Sequence, residues 1–424
     1  MRLLFIFLFV SEIVFSQNLI LKNVTVIPVN HDVAITNCNV YISNGKIVKI
    51  QAYGAKQIMK GYTVMDCAGK FLIPGLADMH AHFPGKEDPI QLEEYLKLNL
   101  AAGVTTIRSM RGKASQLSLR DSIALGKKLA PEIFVSYVFP SNDSLLTKDS
   151  IEKVVLYAKN KKYDFIKYLG GLNETNFGYM AESCKRNEIV LAGHAYGKMG
   201  LEKAMDAGFA SAEHYQPLLA SYRRDSVIFK NTLDNMKTKG IAFCPTLSFY
   251  HIYSFEFPEK ILMERNGMNY VSNKVKTEWL KEYNEAMKST KEQLKDAFKG
   301  NYVDMYRSQF AKFNKIFKQA VDAGVLVLLS PDDGIFNVPG FGMYEEMKLY
   351  KNAGLSNYQV LKCATYNAAV YFKQQKLWGS VEVGKKANLL LLNANPLESI
   401  ENIKEVEGTL LNGKYYSQKE LLNK

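Results

Sequence analysis

The sequence contains only six histidines, His31, His80, His82, His194, His214 and His251, and four of them stand where strand-like runs end. His80 and His82 form an H-x-H within PGLADMHAHF. Side chains two apart on a strand point to the same face, so one metal ion can take both. His194 closes IVLAGHA and His214 closes ASAEHY. One such histidine alone is more often structural than a ligand. Four at the C-terminal strand ends of one barrel would converge on the face where barrels place their active sites. A carboxylate would complete a metal centre. Asp332 follows VLVLLSP, with Asp333 as its competitor and Gly334 behind, so one of the pair could simply open a turn. Lys167 lies in YDFIKYLGG, inside an apolar strand. A buried ammonium is costly without a partner. Deprotonated, the amine can react with CO2 to form a carbamate, a bidentate anion able to bridge two metals. A snorkelling strand-edge lysine is the structural alternative, and the pattern leaves both open. Histidine and carboxylate ligation favours zinc, with manganese and iron as rivals.

Such ligands need a scaffold that brings distant segments to one point. From about residue 73 to 377, short apolar runs alternate with helical stretches: VTTIRSM, IFVSYVF, YDFIKYL, EIVLAGHA, ASAEHY, GIAFCPTL and VLVLLS. That alternation predicts βα units and a parallel sheet, and about eight units over roughly 300 residues fit a (β/α)8 barrel. Residues 255–310 interrupt it with a long Lys/Glu-rich helical stretch, an inserted subdomain that could serve as a lid. Residues 17–72 and 378–424 read as short alternating strands with Asn-Gly or Ala-Gly turns. The two ends are therefore expected to build one small β-sandwich domain beside the barrel. The overall expectation is an α/β chain, a distorted barrel with a small β domain made from both termini.

The chain is 424 residues long and 47% hydrophobic, enough for a large core plus a smaller one. Its formal net charge is +12. The lysines are spread along helices with glutamates between them, as in Lys276–Glu278–Lys281–Glu282, which is the pattern of a solvated face. No nucleic-acid-binding signature is visible, and nucleic acid is not an expected partner. Residues 1–16, MRLLFIFLFVSEIVFS, have the basic, apolar, small-residue order of a secretory signal peptide. The stretch is short for a membrane span, so the chain is expected to be exported, periplasmic or secreted, without a stable membrane anchor. Cys38, Cys67, Cys184, Cys244 and Cys363 show no metal-type spacing. Cys38 and Cys67 share the early β region and could pair on export, but small buried apolar roles suit all five better. A homo-oligomer is compatible with the sequence.

These motifs, in order, resemble the amidohydrolase superfamily, in particular its imidazolonepropionase-like and secreted Xaa-Pro-dipeptidase-like members. The resemblance runs from NVTVIPV and NVYISNGKIVKI through MDCAGKFLIPGLADMHAH, AAGVTTIR, IKYLGG, GHAYG and EHY to GSVEVGKKANLLLLNANPLESI and NGKYY. It implies that His80 and His82 hold the more buried of two divalent metals. Lys167 as its carbamate would bridge both, His194 and His214 would hold the second, and Asp332 would bind the first metal and act as general base. It implies hydrolysis of a C–N bond in a small molecule or dipeptide, by a hydroxide shared between two metals. Two departures blur what the pocket recognises: Ser330-Pro331 precedes the aspartate, and Arg108-Ser109 stands where Arg-Asp is usual. Tyr196, Arg108 and His251 are the candidate substrate contacts. A cyclic amide or lactone hydrolase on the same scaffold is the alternative reading, and a catalytically dead secreted binding protein the lower one. A one-metal deaminase is disfavoured, because Ala195-Tyr196-Gly197 follows His194 where that class wants a glutamate.

Overall fold

The computed structural model describes residues 18–55, 60–85, 87–88, 90–197, 199–295 and 302–423. The expected signal peptide lies outside the described residues. Seven strands form a parallel sheet in sequence order: Leu76–Ala81, Val104–Ser109, Glu132–Val138, Phe165–Tyr168, Val190–Gly193, Phe209–Glu213 and Ala242–Cys244. Most of their residues are buried, as strands covered on both faces must be.

VLVLLS takes the eighth position without becoming a full strand. It makes one isolated bridge, Phe243 with Val327. The Phe243 N–H donates to Leu326 O at 2.8 Å and the Leu328 N–H donates to Phe243 O at 2.9 Å. On the other side the Met79 N–H donates to Leu329 O at 3.2 Å. These bonds tie the segment between the last strand and the first, so the barrel closes although its regular sheet is open. Pro331, which has no N–H to give a ladder, ends the run immediately afterwards.

Both chain ends feed one eight-stranded sheet. Its order is Lys414–Ser417, Val406–Leu411, Leu389–Leu392, Phe71–Pro74, Leu19–Val26, Ile35–Ser43 and Lys46–Ala52, with Thr63–Asp66 pairing on Leu19–Val26. The N- and C-terminal halves meet where Leu389–Leu392 lies antiparallel to Phe71–Pro74. Leu21, Val40, Leu72, Leu389 and Leu391 are among its core residues. Cys38 and Cys67 lie in that core as free buried thiols.

The Lys/Glu-rich stretch forms two long helices, Asn273–Leu294 and Tyr302–Asp322, so the helical region runs past residue 310. Ser272 caps the first by accepting from the Val275 N–H at 3.3 Å. Val275, Trp279 and Tyr283, spaced four apart, are its buried face. Lys274–Glu278 and Lys281–Glu285 are i,i+4 pairs on the solvent side, each worth only about 0.3–0.5 kcal/mol.

Candidate metal and active site

At the C-terminal ends of the barrel strands lies a cavity of about 310 Å3. His80, His82, Lys167, His194, His214 and Asp332 all border it, although 252 positions separate the first from the last. His80, His214 and Asp332 each bring a donor atom within 4.8 Å of the others. The Asp332 carboxylate sits between two imidazoles, 3.4 Å from His82 Nε2 and 3.8 Å from His214 Nδ1.

Three of the four histidines are held through a ring nitrogen. His80 Nδ1 lies 2.8 Å from Glu213 Oε2. Burial alone would raise the Glu213 carboxyl, but the Arg108 guanidinium and Lys167 outweigh that and hold it below its ordinary range. A carboxylate there makes His80 Nδ1 the donor and leaves Nε2 for a metal, the usual way an outer carboxylate fixes a ligand's tautomer. His194 Nδ1 is 3.0 Å from Leu169 O, and the Tyr196 hydroxyl is 2.9 Å from the same nitrogen. His214 Nδ1 is 2.8 Å from Thr246 Oγ1. Burial, reinforced by the positive charge of Lys167, pushes His80 and His214 well below the ordinary imidazole range, His82 down to about 3 and His194 down to about 4. All four are neutral at pH 7, the form that ligates.

The backbone is strained where it turns into the site. His214, Thr246 and Asp332 have φ of 67°, 53° and 57°, the left-handed region that non-glycine residues enter at a cost. In the strand before it, Glu213 points into the barrel interior; the turn at His214 carries the next side chain to the mouth. Asn337 Nδ2 donates to Pro331 O and Asp332 O, both at 3.1 Å, and Arg265 donates to Asn337 Oδ1 at 2.9 Å. Glu346 accepts from the Leu247 and Ser248 N–H groups and so anchors the turn at Thr246.

The two adjacent aspartates divide their work. Asp333 accepts from the His82 N–H at 2.5 Å and from the Tyr95 hydroxyl at 3.1 Å, so it is tied to the scaffold. Asp332 faces the histidines. Burial pushes its carboxyl up to about 8.

Two buried nitrogens bordering the cavity, Lys167 Nζ and His82 Nε2, have no hydrogen-bond partner among the described residues. Burial pulls the Lys167 amine down to about 8, against the opposing pull of Glu213. Orphaned buried polar atoms are rare and costly unless something else satisfies them. Four imidazoles that each keep a ring nitrogen free of hydrogen bonds among the described residues, a carboxylate and an amine of lowered basicity fit divalent metal ions. A second grouping, His80, Glu213 and Cys244, also lies close together. It is a poor metal site, because Glu213 is taken by Arg108 at 2.9 Å and burial pushes the Cys244 thiol well up.

Among the expected substrate contacts, Tyr196 borders the cavity. Arg108 does not. It is fully buried, bonded to Glu213, to Ser211 Oγ at 2.9 Å and to Met79 O, so it positions Glu213 and through it His80. His251 also stays outside, 3.0 Å from Glu256. The arginine that borders the cavity is Arg111, exposed and without an ion pair among the described residues. Sequence reasoning also missed Glu213, although a glutamate inside an apolar strand is itself a signal of a buried cationic partner.

The sequence profile of the amidohydrolase family matches residues 71–415. Ochratoxinase of Aspergillus niger is 27% identical over 226 residues, which are 53% of this chain and 36% of that protein, so the match spans little more than a third of the relative's length. Among solved structures, a Xaa-Pro dipeptidase with methionine bound in its active site superposes with a TM-score of 0.71 at 19% identity, over 95% of this chain and 100% of the other. A prolidase complexed with N-methylphosphonate-L-proline gives 0.69 at 18%, over 95% and 100%. The A. niger ochratoxinase structure gives 0.68 at 19%, over 95% and 96%. At these identities the structural likeness speaks for the fold.

Proposed function

The chain belongs to the amidohydrolase family, and from that premise we propose that it hydrolyses the amide bond of a small substrate carrying a free carboxylate, such as an N-acyl amino acid or a dipeptide with proline or a basic residue at its C-terminus. The observation that carries the reading is the convergence of six ligand-type side chains on one cavity, with Lys167 Nζ left unpartnered there. His80, His82 and Asp332 would hold one divalent ion, His194 and His214 a second, and Lys167 as its carbamate would join them. Zinc is the ion this donor set favours. Ions held there supply Lewis-acid polarisation of the scissile carbonyl and a water acidic enough to ionise near neutrality.

The chain's own groups do the rest. Beside bound cations the raised Asp332 carboxyl would return to the ionised form, and a carboxylate oxygen then accepts the proton released as water attacks the carbonyl carbon. The same oxygen returns it to the amide nitrogen as the C–N bond breaks, which leaves one carboxylic acid and one amine. Tyr196, beside His194, borders the space the substrate must fill. Arg111 takes the anchoring role first expected of Arg108, since a guanidinium binds a carboxylate through two parallel bonds. The similarity to prolidase-type structures and to ochratoxinase supports an amide substrate. The export expected from residues 1–16 would suit an enzyme that meets peptides outside the cell. Dipeptides and N-acyl amino acids incubated with zinc-loaded protein test the reading by release of free amine. Cleavage of a cyclic amide or lactone with every open-chain amide left intact would overturn it.

A further inference from the structure

Two of the strained turns that shape the metal site, at Thr246 and Asp332, share one support that lies outside it. Arg265 stands in the inserted stretch, two residues past the short helix Glu259–Met263. Its side chain is only 7% exposed and spans both turns. Nε donates to Phe336 O at 2.9 Å. Nη2 donates to Asn337 Oδ1 at 2.9 Å and to Ser248 Oγ at 3.0 Å. Ser248 Oγ donates in its turn to Asn337 Oδ1 at 2.8 Å. Arg265 borders neither the catalytic cavity nor the pocket of about 510 Å3 beside it.

These bonds lead to every strained residue nearby. Phe336, with φ of 58°, is bonded directly. Asp332 is reached through Asn337. With its Oδ1 held by Arg265 and Ser248, the Asn337 amide turns its NH2 to Pro331 O and Asp332 O. Thr246 is reached through Ser248, and Thr246 Oγ1 meets His214 Nδ1 at 2.8 Å. The helix Gly342–Asn352 backs both sides of this arrangement. Its Glu346 accepts from the Leu247 and Ser248 N–H groups. Its Glu345 accepts from the Asn266 N–H at 3.1 Å and lies 3.8 Å from Arg265 Nη1. Left-handed backbone at non-glycine residues persists only where the surroundings over-determine it. A rigid, planar guanidinium holds several acceptors in one fixed geometry, which a lysine cannot do.

We propose that Arg265 is a positioning residue for the metal centre: its guanidinium locks the turns that carry Asp332 and the Thr246 support of His214. The proposal rests on the metal-binding and general-base roles given to those residues above. It gives the inserted stretch a part in the reaction that needs no contact with substrate.

Zinc affinity, measured by competition with a chromophoric chelator, reads the site without any substrate. Full-length wild type is compared with Arg265→Ala, Arg265→Lys, Asn337→Ala and the double variant, and cleavage of glycylproline and N-acetylphenylalanine is followed alongside. Arg265→Ala should bind zinc about 10–100-fold more weakly, the usual cost of losing a group that orients a ligand. At saturating zinc its kcat should fall, since a displacement of about 1 Å can cost 10²-fold, while KM stays near the wild-type value. Millimolar guanidinium chloride should restore much of the lost affinity, and sodium chloride at equal ionic strength should not. Arg265→Lys keeps the charge without the fork, so it should resemble Arg265→Ala, and it carries the test if that variant fails to fold. The double variant should lose little more than the worse single variant, because one residue acts through the other. This pattern of zinc affinities with no amide cleaved by the wild type keeps the positioning role and overturns hydrolysis alone. A wild type that binds no zinc overturns the metal reading and the proposal with it. Wild-type zinc affinity in Arg265→Ala or Arg265→Lys, additive losses in the double variant, or no response to guanidinium overturns the proposal.

Discussion

The sheet built from the chain ends and the mouth of the barrel obey the same physics with opposite outcomes. In the terminal sheet, the core cluster is apolar throughout, from Leu19 to Leu410. Its left-handed residues are mostly asparagines, Asn23, Asn37 and Asn44, which tolerate that conformation at turns and bulges. At the barrel mouth, Arg108, Lys167, Glu213 and Asp332 are all buried, and the left-handed positions are His214, Thr246 and Asp332. The first region breaks local preferences only at scattered points, such as Val29 with φ of 71° and buried Asn39, and the second breaks several within a few ångströms. Folding free energy gathered in ordinary packing holds a site that would not form alone. What marks the site is the concentration of such violations, more than any single histidine.

The comparison can be broken most severely at Asp332. Asp332→Asn should lower kcat by about 10²–10⁴-fold, the range for losing a general base, while Tm moves little. Asp333→Asn should cost less turnover, because Asp333 holds the His82 backbone and Tyr95. Steady-state kinetics of both variants would decide, and the reverse ranking would transfer the base to Asp333. The terminal sheet should respond the other way. Leu391 is fully buried between Leu72 and Gly408. Leu391→Ala should cost about 2–5 kcal/mol by denaturant titration and leave kcat per folded molecule unchanged. A matching fall in kcat would mean that the sheet tunes the site directly.

A smaller effect sharpens the contrast through pH. Burial raises the Glu346 carboxyl from 4.5 to about 8, although two backbone N–H groups pull against the shift. A carboxyl raised on folding contributes stability that is full below its unfolded value and is lost as pH rises through its folded value. Glu346 should therefore cost the metal-free protein stability as pH climbs from about 5 to 8, and Glu346→Gln should remove that component of the pH dependence. Calorimetry of both proteins over that pH range checks it, and parallel slopes would remove Glu346 from the explanation.

Much of this was legible in the chain. H-x-H, the terminal histidines and the aspartate after the last apolar run each advertise themselves by type and position, and the period of the strands brings them together. Arg108 was misassigned, because a sequence does not reveal which side of a barrel wall a long side chain takes, and Glu213 claims it from inside. Arg111, three residues on, lies beyond the strand Val104–Ser109, where alternation no longer predicts direction. The missing eighth strand was illegible for a related reason. VLVLLS has strand composition, but Pro331 and the turn at Asp332 leave it too short for a regular ladder.

The central claim is that the barrel mouth holds two metal ions joined through Lys167. Elemental analysis of protein reconstituted with zinc and bicarbonate, wild type beside Lys167→Met, tests it most directly. The wild type should carry about two equivalents per chain. Lys167→Met should carry one or none, yet melt higher in its metal-free form because a buried unpartnered amine is gone. A wild type that takes up no zinc, or a Lys167→Met variant that retains two equivalents, would contradict the account.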